Sequence, residues 1–257
     1  MVRGREAMNP SRRRIGIVLL LALTLAAAIS LVLYGPIREA AGHNSFADSR
    51  TLLEIPNFWN VVSNLPFVFV GAWGLVALRS GRRPGVLPRL WLAWIGLLAG
   101  SLLIGFGSAY YHLAPTDASL AWDRLPMTVA FMSLLAIIIG ERVGIGAGAR
   151  LLGPLIVLGV GSVLCWHFSG DLRPYVLVQY VPMALIPIAL ILFPSPLRPV
   201  WPIWAGLASY ALAKALEVLD ARVFRMFGGI GGHPLKHLAA AIAIGFFVLA
   251  ATRRHPV

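Results

Sequence analysis

Eight runs of about twenty mostly apolar residues, each nearly free of charge through its middle, dominate this sequence. They fall at 15–34, 58–78, 90–112, 122–140, 149–167, 173–193, 200–218 and 233–252. Each approaches the ~20 residues that a helix needs to cross the hydrocarbon of a bilayer. Helices that are apolar all round have lipid as their solvent, and in lipid every backbone polar group must be satisfied internally. Runs of this length therefore predict an all-α integral membrane protein. Gly35-Pro36, Gly81-Arg82-Arg83-Pro84, Pro194-Ser195-Pro196 and Gly228-Gly229-Ile230-Gly231-Gly232 supply the turns. Pro182 and Pro187 inside the sixth run predict kinks.

Composition agrees: 58% of the 257 residues are hydrophobic and only 12% charged. The net charge of +12 would raise nucleic acid as a partner in a water-soluble chain. Here the basic residues lie in loops and tails. They read as topology signals and contacts to anionic lipid headgroups, with no nucleic acid. Lys and Arg favour alternate loops by about two to one when the N-terminus is inside, which places both termini in the cytoplasm. The alanine- and arginine-rich composition suits a bacterial inner membrane. The first run follows Arg12-Arg13-Arg14, as a signal peptide would, but Ile15–Tyr34 exceeds a signal core of roughly 7–15 residues. A retained anchor is expected. The lone Cys165 can form no internal disulfide.

The informative residues are polar ones at helix ends. Gly105-Phe-Gly-Ser-Ala-Tyr-Tyr-His112 closes the third run, Trp122-Asp-Arg-Leu-Pro-Met127 opens the fourth, and Gly232-His-Pro-Leu-Lys-His-Leu238 opens the eighth. Under the orientation above, all three lie at the outer face. His233 and His237, four apart, share one face of a helix and can share a metal ion. Ser108 and His112 repeat that spacing, and Gly105 and Gly107 would let a neighbouring backbone come close. A third histidine from another helix would complete a three-His site with one open position, the pattern of catalytic zinc. Each residue also has a plainer reading. A lone His-x3-His pair more often faces headgroups than metal. Asp123 can cap the fourth helix with Pro126 in its first turn. Ser108 can bond back to its own helix. Arg124 and Lys236 can snorkel. Lys214, Glu217 and Asp220, spaced by three, suggest an internal ion pair lining a cavity.

Together these motifs resemble the alkaline ceramidase family. That family belongs to a wider superfamily of membrane hydrolases that includes the progestin and adiponectin receptor-like proteins. The resemblance spans roughly residues 43–252 and rests on three blocks in order. They are Asn57-Phe-Trp-Asn-Val-Val-Ser-Asn64, Gly107-Ser-Ala-Tyr-Tyr-His112 with Asp123-Arg-Leu-Pro-Met127, and His233-Pro-Leu-Lys-His237. It implies a seven-helix core over 43–257, with residues 1–42 holding the N-terminal segment and one extra transmembrane helix, and a zinc ion on His112, His233 and His237, with Ser108 and Asp123 as catalytic serine and aspartate. It further implies hydrolysis of the amide bond of a ceramide-like or other N-acyl lipid within the bilayer. On this reading Zn2+ acidifies a water, Asp123 takes its proton and Ser108 donates to the substrate oxygen. The family's calcium site needs several carboxylates. Here only Asp48 and Asn57 stand near the equivalent position, so calcium is not expected. Arg124 replaces an acidic residue of the family. A receptor or sensor of the same superfamily, and a transporter with Lys214, Glu217 and Asp220 along its path, are the alternatives.

Overall fold

A computed structural model describes residues 8–257. It is a bundle of helices: α1 (Pro10–Tyr34), α2 (Phe58–Val62), α3 (Leu65–Arg79), α4 (Trp91–Leu113), α5 (Asp117–Arg142), α6 (Ile145–Ser169), α7 (Arg173–Leu192), α8 (Trp201–Val218), α9 (Asp220–Phe227) and α10 (Gly232–Arg253). The only sheet among the described residues pairs Leu197–Arg198 with His255–Pro256. The chain is an all-α, multi-pass membrane protein. Every expected run is a helix, displaced by a few residues at its ends.

Seven helical segments are long and apolar enough to cross a membrane, the short α2 counting with α3. The segment expected at 200–218 is not among them. Its helix, α8, carries Lys214 and Glu217, and these dilute its hydropathy. Packing places it nonetheless. The two-residue sheet holds the chain just before α8 against the chain just after α10. At the other end the α10 start lies against the α8 end, where a Cβ on Gly232 would come within 2.3 Å of the Leu216 carbonyl. α8 thus runs antiparallel to α10 along its length. Its 18 residues span about 27 Å. Its polar residues face inward rather than to lipid.

Helices α3, α4, α5, α7, α8 and α10 close a ring. α6 packs outside it on α5 and α7, and α1 leans on α7 with only Gly16 buried. Lipid tails are as apolar as leucine, so close contact between backbones holds such helices together. A Cβ on Gly148 of α6 would lie 2.4 Å from the Ala136 carbonyl of α5. Gly107 of α4 meets the Trp122 carbonyl of α5 in the same way, at 2.2 Å. That carbonyl is the one Pro126, lacking an N–H, leaves without its helical partner. The expected close approach at Gly105 is also present, against Val68 and the Asn64 carbonyl.

The fourth run begins earlier than expected, and this changes the reading of Asp123. Thr116 caps α5 through a reciprocal hydrogen-bond pair with Ser119. Asp123 therefore lies in the second turn and does not cap, and Pro126 is inside the helix.

Candidate metal centre

The C-terminal end of α4 and the first turns of α10 meet at one end of the ring. They bring together three histidines far apart in sequence. Their ligand nitrogens lie within 4.8 Å of one another, and the ring centroids form a near-equilateral triangle with sides of 5.0, 5.0 and 4.9 Å. His112 and His237 are buried. The α10 start is set by Asp220, whose Oδ1 accepts from the otherwise unpaired His233 N–H at 2.9 Å. Pro234 occupies the first turn, where its missing N–H costs nothing.

The donor set fits a metal ion. Buried polar atoms are ordinarily hydrogen-bonded, yet Nδ1 of His112 and Nε2 of His233 are buried with no partner. Nδ1 of His237 is engaged by the Ser63 hydroxyl at 2.8 Å, leaving the other ring nitrogen for a ligand role. Metal-ligating histidines are commonly oriented in this way through their second nitrogen. Three imidazoles without a carboxylate suit zinc and its neighbours.

Beside the histidines, the Ser108 hydroxyl of α4 faces the Asp123 carboxylate of α5. Both residues line the cavity inside the ring, as does His237. The cavity is graded along every long helix that carries a polar lining residue. Ser108, Asp123, Gln179, Glu217 and Lys236 stand at the histidine end of their helices. Leu97, Leu134, Ile186, Leu207 and Phe247 stand deeper. From His237 to Phe247 the helix rise gives a depth of about 15 Å. The expected ion pair is present: Lys214 and Lys236 both bond Glu217. Asp220 does not join it and holds the α10 start instead.

Two expectations are corrected. Lys236 does not snorkel to the interface; it turns into the cavity onto Glu217, at 3.0 Å. Arg124 is likewise held inside, paired with Glu39 at 2.6 Å and lying 4.2 Å from the Trp166 ring and 4.6 Å from that of Tyr175. In lipid, an internal carboxylate or aromatic face is a better partner than a stretched route to the surface.

A strap formed by residues 35–56 closes this end, and composition gave it no role. Phe46 sets its ring edge against His112 and His233, with centroids 4.6 and 4.8 Å away. The Ala47 N–H reaches Asp220, and Asn44 accepts from the Tyr111 hydroxyl. Asp48 gives both carboxylate oxygens to Arg50, whose guanidinium holds its carboxyl below the usual range. Arg50 in turn reaches the Gly229 carbonyl. Asn57 donates its amide to the His112 carbonyl at 2.9 Å. Asp48 and Asn57 are thus both engaged by neighbours. His43, assigned nothing from sequence, bonds Asp117 at 2.7 Å. Burial disfavours its charged form. The hydrogen bonds to Asp117 and to the Ala40 carbonyl, with Glu39 nearby, outweigh that and raise its pKa.

Ser63 was within reach of sequence reasoning, since it closes the Asn57–Asn64 block. Phe46 was not, because a loop phenylalanine carries no periodic signal. No protein-family model matches the chain, and no curated protein does either.

Proposed function

We propose that this chain is a zinc-dependent hydrolase of the alkaline ceramidase type, cleaving the amide bond of an N-acyl lipid. The observation that carries the reading is the triangle of histidines with orphaned ring nitrogens at the polar end of a lipid-deep cavity. A transporter has no need of that pairing, and turnover of an acyl amide distinguishes the hydrolase from a receptor of the same superfamily. His112, His233 and His237 would hold the ion, and zinc bound by three neutral imidazoles supplies an acidified water at its open position. Asp123, on the cavity wall with His237, would act as the base that takes a proton from the attacking water and delivers it to the departing amine. Ser108, on the same wall, would donate to the substrate oxygen as charge develops there. The acyl chain fits the deep apolar part of the cavity. The basic loops put this end of the bundle at the outer face of a bacterial inner membrane.

The first test is metal content of the detergent-purified protein, followed by hydrolysis of an acyl-amide lipid. About one zinc per chain, lost in His112→Ala, His233→Ala or His237→Ala, is the expected result. Asp123→Ala should keep the metal and lose roughly 10²–10⁴-fold in turnover. Full turnover by His237→Ala or Asp123→Ala would remove the assignment.

A further inference from the structure

Two ammonium groups share one carboxylate on the cavity wall beside the histidines. Lys236 stands between His233 and His237 on α10, and Lys214 faces it from α8. Both ammonium groups donate to one carboxylate, Lys214 to Oε2 of Glu217 and Lys236 to Oε1. Each ammonium has three donors, and Glu217 takes one from each. The lining carries two carboxylates, Glu217 and Asp123, and of these only Glu217 bonds the lysines. Charge held within the membrane is costly unless paired. A purely structural pair would need one lysine, and the second brings an excess. Gln179 and Tyr210 add polar groups to the same wall.

We infer that the substrate carries an anionic group next to the scissile amide, as an N-acyl amino acid does, and that Lys214 and Lys236 bind its carboxylate. The inference rests on the amidohydrolase reading and narrows its substrate class. The acyl chain enters the deep apolar part, the amide lies at the histidines, and the carboxylate lies toward α8. A neutral ceramide headgroup leaves the lysines unanswered. Hydrolysis adds water across the amide, breaking C–N, forming C–O and sending a proton to the amine. The products are a fatty acid and a free amino acid.

The test begins with binding to metal-free protein, comparing N-dodecanoylglycine with its uncharged methyl ester by calorimetry in a nonionic detergent. The acid should bind at least ~10-fold tighter at pH 7, a difference of about 1.4 kcal/mol. Lys214→Met/Lys236→Met should abolish that preference. Glu217→Gln should increase it, by freeing both ammoniums, and misfolding cannot produce a gain. Equal affinity for acid and ester in the unaltered protein overturns the inference. Zinc-loaded protein then separates the two claims. Cleavage of a neutral dodecanoyl amide without preference for the acid overturns this inference and leaves the hydrolase standing. Preferential binding of the acid, with neither amide cleaved, leaves the anion site standing and removes the hydrolase.

Discussion

The two ends of the bundle each bury an ion pair, and the pairs differ in kind. At the end away from the histidines Arg254 makes two parallel bonds of 2.7 Å to Glu141, and both side chains are wholly inaccessible. The guanidinium also reaches the Ala250 and Gly85 carbonyls, Trp94 closes over it, and Arg142, buried nearby, donates to the Phe193 carbonyl. At the histidine end two ammoniums share one carboxylate on the wall of a cavity, and all three side chains keep some exposure. The Glu141–Arg254 pair is closed, as a structural fastening should be. The lysine group stands open on a cavity wall, and polar donors facing a cavity inside a membrane protein bear on what it binds.

Removing one partner from each end should sharpen the contrast most. Arg254→Met strands a buried carboxylate and should cost about 3–5 kcal/mol, read as lost thermal stability in detergent. Glu217→Gln should cost less than that, because its group keeps some exposure where the Glu141 pair has none. Similar losses at both ends would break the distinction.

A smaller effect is expected at Ser63. Ser63→Ala removes the bond that orients His237 and should weaken zinc binding roughly 10–100-fold. Competition with a chelator measures it. Zinc affinity should be indifferent to Arg254→Met so long as the fold persists, and a shift there would mean that the two ends are coupled.

The smallest effect lies in the strap. Because the His43 pKa is raised on folding, its pairing with Asp117 stabilises the strap fully below the ordinary histidine pKa of about 6.5. The contribution fades as the pH rises through the higher folded value. The pair is partly exposed, so less than about 1 kcal/mol is at stake. Protection of residues 43–48 against hydrogen exchange, taken relative to the intrinsic exchange rate at each pH, should fall from pH 6 to pH 8 in the unaltered protein and stay level in His43→Gln.

Much of this architecture was legible in the sequence, because a transmembrane run announces itself without reference to its neighbours. The convergence of His112 with His233 and His237 was also legible, since counting crossings puts helix ends on one face or the other. What failed was anything that depends on which way a side chain turns. Arg124 and Lys236 were expected at the interface, yet Glu39 and Glu217 draw them inside. Asp123 looked like a cap until the helix proved to begin at Asp117. Phe46 belongs to a strap whose path is fixed by long-range bonds such as Ala47 to Asp220, and no local pattern encodes those.

The first helix has a consequence out of proportion to its contacts. α1 buries a single glycine, so it adds little to the packing of the ring. What it adds is parity. One crossing before the strap makes residue 35 emerge opposite the arginine cluster at the head of α1. Every later helix inherits its direction from that step. A chain beginning at the strap would hold the same ring and the same histidines, but nothing ahead of them would decide which compartment they open to. In that sense α1 works as an address written once at the start of insertion, and the metal centre is read out on whichever side it names.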